Sequence, residues 1–436
     1  MKRVAFAFLT SVLSLAARAE APSFDWDWVM SASTTAHRDS LFFPSNQARD
    51  TQQIEALLDV EMRWHGWLGL VAIKQNALWS SDAQQHADSE FILQELFWQG
   101  SLVLADVPFE LTLGKVRLDW GVGYGYRPLD LFQPYRRNPV GIQVEEGAGT
   151  LSASYYDQQG EWTIFYTDSS WTEQQGSELQ QMTEQQGAGV RRYQLMGNAE
   201  WQAIAYYDDV RRGVLGSSFV TVLTDAWEVH ASALYQRHYL AYQQPSAPSA
   251  LAQAVYSQQH EIESRMALES RTQGYQALVG FNWSGSDGQS VIAEYWFDSR
   301  SWGKEQWQQA QTNADSVRYQ HNQALGWSYA QGYNHVNLVQ HNVMLHASLD
   351  SQAWRHWPWS RSIEWLQGLV PTLDVLIAPQ DGGVIATQWL NYSAYDSGTA
   401  SIEIELAARF MTGPADSTYA NLPDKHMILL NMKGKF

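Results

Sequence analysis

Between Gly114 and Pro134 the chain reads GKVRLDWGVGYGYRPLDLFQP, and the side chains best able to act on a charged solute lie in it or just beyond it. Arg117, Asp119, Arg127 and Asp130 fall inside the stretch, and Arg136, Arg137, Glu145 and Glu146 come soon after it. Trp120 and Tyr124 add amphipathic rings. Gly121, Gly123 and Gly125 let the backbone turn tightly, while Pro128 and Pro134 stiffen the returning chain. An ordered Gly/Pro loop with both charge signs suits the narrow part of a wet passage, where fixed charges discriminate between ions. The competing reading is a surface loop held by a tryptophan at a membrane interface.

Enzymatic readings fit less well. Gly121-Val122-Gly123 has neither a following helix nor a surrounding βαβ unit, so it is a poor nucleotide fingerprint. His260-Glu261 lacks the second histidine of a zinc protease, and Asp25-Trp26-Asp27 lacks the other ligands of a calcium loop. There is no Gly-x-Ser-x-Gly elbow. Neither a cofactor nor a metal is expected. Hydrolases built on barrels use Ser/His or Asp/His pairs at the rim, which makes His230, His238, His341 and His346 the residues to consider. His341 and His346 differ in parity and should face opposite sides of a strand.

The elements that must position these residues are strands. Short alternating segments recur along the whole chain. Ile54, Ala56, Leu58, Val60, Met62 and Trp64 share one face, opposite Glu55, Asp59, Glu61 and Arg63. Glu228 and His230 oppose Trp227 and Val229; Glu294 and Asp298 oppose Ala293, Tyr295 and Phe297; Glu403, Glu405 and Arg409 oppose Ile402, Ile404, Leu406 and Phe410. Strands are expected at roughly 24–36, 52–64, 66–78, 90–104, 108–118, 147–157, 160–168, 190–198 and 200–208. The second half adds roughly 214–224, 226–240, 270–284, 288–299, 338–350, 365–378, 383–395, 399–411 and 425–436. The count is about 18, with 16 as the alternative, and even numbers are what bacterial single-chain barrels use.

Joins between strands mostly alternate between short and long. His65-Gly66, Asp106-Val107, 157–160, Gly197-Asn198, Thr224-Asp225, 285–288 and 396–398 are short, while 37–51, 79–89, 119–146, 169–189, 241–269, 300–337 and 412–424 are long. Short periplasmic turns and long outer loops give that rhythm. The join at 209–213 is a short exception and that at 351–364 a long one. The long loops are polar. Residues 172–188 are rich in Gln and cannot bury a core of their own, whereas 303–315 reads as a short surface helix.

Both ends of the chain carry address labels. Lys2 and Arg3, the apolar run from Val4 to Ala16, and Ala17-Arg18-Ala19 form a cleavable export signal, residues 1–19, leaving 20–436 as the mature chain. The last strand alternates Ile428, Leu430, Met432 and Gly434 against Leu429, Asn431, Lys433 and Lys435, and closes on Phe436. An alternating final strand with a terminal aromatic resembles the signal that the barrel-assembly machinery of the bacterial outer membrane reads on its substrates. Gly434 departs from it, standing where a second aromatic is common.

Composition agrees with a membrane barrel. There is no cysteine among 436 residues, and a closed hydrogen-bond ladder needs none. Mean hydropathy is −0.36, and no apolar run beyond the signal approaches the roughly 18 residues of a transmembrane helix. The 21 Trp and 21 Tyr are many for so polar a chain and suit the two aromatic girdles of such a barrel. A net charge of −18 argues against nucleic acid as a partner.

The stretch after Gly114 also resembles a family pattern: Gly-basic, then Trp-Gly-x-Gly, then Pro-x-Asp-x-Phe-x-Pro, ending at Pro134. It is similar to segments of porin-like outer-membrane barrels, among them those grouped around alginate export and others associated with inner-membrane exporters. The resemblance implies that residues 119–146 fold inward and narrow the pore.

The expected architecture is therefore an all-β, antiparallel transmembrane barrel in the outer membrane, in contact with its lipid. The expected function is passage of small or polymeric solutes, with a role as the outer-membrane component of an export system as the finer reading. The alternative is a loop-plugged structural or assembly barrel partnering an envelope complex. Parity gives Glu55, Asp59, Glu61, Glu95, Glu228, Glu294, Asp298, Glu403 and Glu405 as inward acids, against Arg63, Lys74, Arg192, Arg409, Lys433 and Lys435. An acid-lined lumen would favour cations, unless the two signs pair and only brace the wall. The loop charges are expected to meet Glu55, Glu61, Glu403 and Glu405 across the lumen.

Overall fold

The computed structural model describes residues 21–43, 49–80, 83–132, 140–172, 185–243, 268–318 and 329–436. The export signal, Arg136, Arg137, His260-Glu261 and most of the Gln-rich loop lie outside the described residues.

Eighteen strands form one sheet that closes on itself. They are β1 (Ser23–His37), β2 (Asp50–Trp64), β3 (Trp67–Ser80), β4 (Ala83–Leu104), β5 (Val107–Val116), β6 (Ala148–Tyr156), β7 (Gly160–Asp168), β8 (Gln186–Met196) and β9 (Ala199–Asp208). The others are β10 (Val214–Thr224), β11 (Trp227–Tyr242), β12 (Leu268–Ser284), β13 (Gln289–Asp298), β14 (His341–Leu349), β15 (Leu369–Ala378), β16 (Gly383–Asp396), β17 (Ser401–Thr412) and β18 (Asp424–Lys435). Each strand pairs antiparallel with its sequence neighbours, and β1 pairs with β18 to complete the ring, Ser31 opposite Asn431 and Ala32 opposite Leu430. No backbone edge is left to water or lipid, so the chain crosses a bilayer without helices.

Alternation sorts the two faces. On β2, Glu55 and Leu57 are buried while Ile54 is 53 % exposed, although isoleucine is more apolar than glutamate. Phe91, Ile164, Leu215, Phe410 and Leu430 stand outward in the same way. Such inversion is stable only if the outer solvent is hydrocarbon, which identifies an outer-membrane-type barrel. Trp26, Trp67, Trp162, Trp227 and Phe436 lie exposed toward the short-turn end, and Phe91, Tyr207, Tyr275 and Phe410 toward the long-loop end. These two groups are the interfacial girdles.

The seam explains Gly434. It lies opposite Trp28, whose ring occupies the space a side chain would need: an added Cβ would come within 2.4 Å of the indole. A neighbouring aromatic thus covers the glycine, a recurring way of stabilising a bare position in a sheet. Phe436 stacks on Trp26 at 4.8 Å, and its amide donates to the Trp26 carbonyl at 3.2 Å.

Turn chemistry differs from expectation in detail. The β4–β5 turn is Ala105-Asp106, with φ of +48° and +62°, one residue earlier than Asp106-Val107. The expected long join at 79–89 is instead a continuation of the β3–β4 hairpin, with Ala77 opposite Ala87 and Gln75 opposite Ser89. Above the membrane both faces of a strand meet water, so hydrophobic alternation no longer marks it. The helix in the long join after β13 forms as α1 (Lys304–Arg318). Trp307, Ala310 and Ala314 of α1 pack with Phe42, Trp302, Tyr329 and Tyr333 into a core that joins the outer loops.

Candidate functional site

Residues 117–132 and 140–147 leave the wall after β5, run through the interior and return to β6. At the root, Lys115 and Glu146 form an ion pair whose side chains are 6 % and 2 % exposed. Strict alternation would turn Lys115 outward, because Leu113 faces lipid. Gly114 breaks the alternation with φ +139°, and an added Cβ there would lie 2.2 Å from the Leu96 carbonyl oxygen. Arg117 marks the point of departure: its amide donates to Glu95 at 2.8 Å and its Nε lies 3.3 Å from the same carboxylate.

The first half of the segment is a compact knot. Asp130 accepts the Trp120 amide at 3.0 Å and also the Gly121 amide. Arg127 donates to the Gly123 carbonyl at 3.0 Å and to Asp119 at 2.8 Å, with Asp130 3.6 Å away. Burial pushes the Asp130 carboxyl up to about 6; the Gly121 amide and Arg127 act against the shift, and Asp119 adds to it. Arg127 therefore does not reach Glu55, Glu61, Glu403 or Glu405. Partners within ten residues of chain satisfy it first, because a short loop closes around a guanidinium more readily than a long one spans a lumen.

Apolar side chains fasten this knot to the wall on two sides. Leu129 is fully buried against Phe165, Ile204, Tyr206, Val214 and Leu234, with Trp120 and Phe132 beside it. Trp120 lies 4.8 Å from the Phe165 ring and under the Arg191 guanidinium at 5.5 Å. Tyr126 packs with Leu278, Trp296 and Met344. Its hydroxyl donates to Gln276, lies 3.1 Å from Asp298 and accepts from Arg300 at 3.1 Å. The returning half touches the other side: Val140 meets Trp389, Ala407 and Leu429, and Ile142 and Val144 meet Leu57, Ala72 and Ile92. Each fully buried apolar side chain contributes roughly 1.5–3 kcal/mol, so the segment is firmly held.

What the segment leaves accessible is short and mixed in character. Asp119 and Arg127 side chains are 56 % and 43 % exposed, and Tyr124 is 48 % exposed with its ring 4.4 Å from His346. The three glycines serve two purposes. Gly123 needs its φ of +115°, whereas Gly125 is in ordinary conformation but leaves no room: a Cβ would lie 2.6 Å from the Met344 sulfur.

The wall charges are mostly partnered. Glu55 pairs with Lys74 at 3.1 Å, Glu61 with Arg63, Asp298 with Arg300 at 2.7 Å, and Glu405 with Lys433 at 2.8 Å. Asp59 accepts from Gln94 at 2.5 Å and Glu228 from Asn282 at 2.8 Å. Arg409 is buried, while Glu403 is exposed at the short-turn end, opposite Lys433. Arg192 is not inward. It lies over the outward Trp162 and pairs with Asp157 at 2.7 Å, and the inward cation is its neighbour Arg191, paired with Glu161 at 3.4 Å. His346 pairs with Asp374 beneath Tyr124, not at a rim, and His341 faces the other way against Tyr295 and Phe297. Among the described residues no cluster of metal-ligating side chains occurs.

Several contributors were invisible to sequence reading. Gln276, Trp296, Asn337 and Met344 lie far along the chain, and only ring closure brings them to the loop. Trp296 shares the strand parity of Glu294 and Asp298, a signal that could have marked it as inward.

No known family's sequence model matches the chain, and no curated protein matches it. Solved structures do resemble it in fold. OccAB1 of Acinetobacter baumannii is 9 % identical, with a TM-score of 0.50 over 97 % of this chain and 99 % of that one. The outer membrane protein opdK from Pseudomonas aeruginosa is 9 % identical, with a TM-score of 0.51 over 95 % and 98 %. OccK8 (OprE) of the same organism is 8 % identical, with a TM-score of 0.51 over 95 % and 98 %. The architecture is thus that of an 18-stranded, porin-like outer-membrane barrel. The neighbours are of the Occ and Opd kind, which replaces the alginate-export grouping as the structural relation.

Proposed function

We propose that the chain is a porin-like channel that passes small polar solutes across the outer membrane, and that residues 117–132 and 140–147 form its constriction. One observation carries this reading. The segment is packed against the wall on both sides, yet presents Asp119, Tyr124 and Arg127 to the interior. Fixed charges of both signs at the narrowest point bias which solutes enter without binding them so tightly that they stay. Pairing of Glu55, Glu61, Glu95, Asp298 and Glu405 with bases braces the wall, whereas Asp59 and Glu228, held by amides, keep their charge, and the loop adds charges of both signs where the passage is narrowest. Among the described residues no nucleophile accompanies the His346–Asp374 pair, whose ring is covered by Tyr124, which supports a non-enzymatic reading.

Purified, folded protein in a planar bilayer should give discrete, ohmic conductance steps. Folded barrel without conductance would favour the second reading, a loop-plugged structural or assembly barrel. The observation behind that alternative is that the same segment touches walls as far apart as β2–β4, β7–β14 and β16–β18. The finer role, an exit duct for an inner-membrane exporter, predicts accumulation of exported material in the periplasm of a deletion strain.

A further inference from the structure

The tip of the infolded segment is held by one carboxylate. Glu294 Oε1 accepts the Tyr124 amide at 2.6 Å, and Oε2 accepts the Gly125 amide at 2.8 Å. Glu294 is only 2 % exposed. His230 Nε2 lies 2.9 Å from Oε1, although His230 is on β11 and Glu294 on β13, with β12 between them.

Register explains how the two meet. His230 is opposite Gly280, and Gly280 is opposite Glu294. A Cβ at position 280 would lie 2.4 Å from His230 Nε2 and 2.7 Å from Glu294 Cγ. The bare backbone at Gly280 is therefore what lets the imidazole and carboxylate join across an intervening strand. The loop is cut to match: a Cβ at Gly123 would lie 2.5 Å from Leu278 and 3.3 Å from Glu294 Oε1. A buried carboxylate is costly unless its acceptor sites are filled, and two amides and an imidazole fill them here.

We propose that Glu294, joined to His230 over Gly280, is the positioning residue of the constriction: it clamps two consecutive loop amides and so fixes Tyr124 in the passage. This rests on the channel reading above, but the clamp can be judged without conduction. The chain has no cysteine, so Tyr124→Cys carries a single spin label. In the otherwise unchanged barrel the label should give an immobilised spectrum. Adding Glu294→Gln, which removes the charge and one acceptor, should raise the mobile fraction several-fold. Gly280→Ala, which forces His230 and Glu294 apart while leaving both intact, should do the same and serves if Glu294→Gln does not fold. Glu228→Gln removes an equal charge from the same inward row of β11, at a carboxylate bonded to Asn282 rather than to the loop amides, and should leave the label immobile. Heat-shifted gel mobility certifies each barrel. An unchanged spectrum in a folded Glu294→Gln or Gly280→Ala barrel would overturn the clamp, as would equal mobilisation by Glu228→Gln. A barrel that does not conduct but keeps this pattern would remove the channel reading and leave the clamp standing.

Discussion

The ion pair at the root of the infolded segment offers a quantitative test of how the loop is held. Lys115 and Glu146 are both almost fully buried, so solvent screening does little to soften the loss of either partner. Removing one partner of such a pair typically costs about 3–5 kcal/mol, because the other charge stays buried and uncompensated. Since about 1.4 kcal/mol is a factor of ten, opening of the root should become roughly a hundred to several thousand times more favourable. The barrel wall should survive, since Lys115 stays in register with Gly149 and Val116 with Ala148 through backbone bonds alone. Glu146→Leu, Lys115→Met and the double variant form a cycle, read by urea unfolding of the barrel in lipid. Each single change should lower stability by about 3–5 kcal/mol, and the double change should recover most of it, as apolar replacements of buried pairs do. A coupling near zero would refute the argument that this pair anchors the loop.

Other outcomes rest on the same geometry. Deleting Phe436, or replacing it with Asp, should reduce the yield of heat-shifted barrel far more than it lowers the stability of the fraction that folds. Its ring is 43 % exposed and, among the described residues, stacks only on Trp26, so little packing energy is lost, and equal yields would exclude an assembly role. The Asp130 carboxyl is raised to about 6, so it is ionised at pH 7.5 and neutral at pH 4.5. A raised carboxyl favours the protonated folded form, so its stabilising effect is present below the unfolded value near 3.8 and is lost as pH rises through about 6. Acidification also removes a negative charge beside Arg127, so reversal potentials should shift toward anions between those values, and Asp130→Asn should flatten the shift. Arg127→Gln should move selectivity toward cations at neutral pH, because Asp119 and Asp130 are then uncompensated. Unchanged reversal potentials in the Arg127 variant would place this residue away from the current path.

Much of the barrel was readable from residue order because lipid and lumen impose opposite chemistries on alternate positions. β2 carries Glu55, Asp59 and Glu61 on one side and Ile54, Leu58 and Val60 on the other, and both faces came out as alternation requires. Readability fails where that pressure lifts. Ala83–Ser89 is strand above the membrane, where polar residues suit both faces, and so it read as loop. Gly114 resets the parity and turns Lys115 inward, while Arg191 and Arg192 are adjacent cations of which only the partner, Glu161 or Asp157, reveals the side. The segment after Gly114 stood out by its glycines and charges, but its contacts did not. Arg127 is satisfied within its own loop, and the groups that grip the tip come from β11, β13 and β14, more than a hundred residues away. Sequence spacing carries no information about such partners; the order of strands around the ring does.

The central claim, that an infolded segment sets the width of a conducting pore, is most directly tested by single-channel recording. The parent barrel should be compared with a variant in which residues 121–131 are replaced by a short Gly/Ser bridge between Trp120 and Phe132. The account predicts that the shortened barrel folds, because the knot it loses is held to the wall and does not build it. Its conductance should rise several-fold, and its discrimination between small cations and anions should weaken. Equal conductance and equal selectivity in parent and shortened barrels would contradict the account and leave the segment as packing alone.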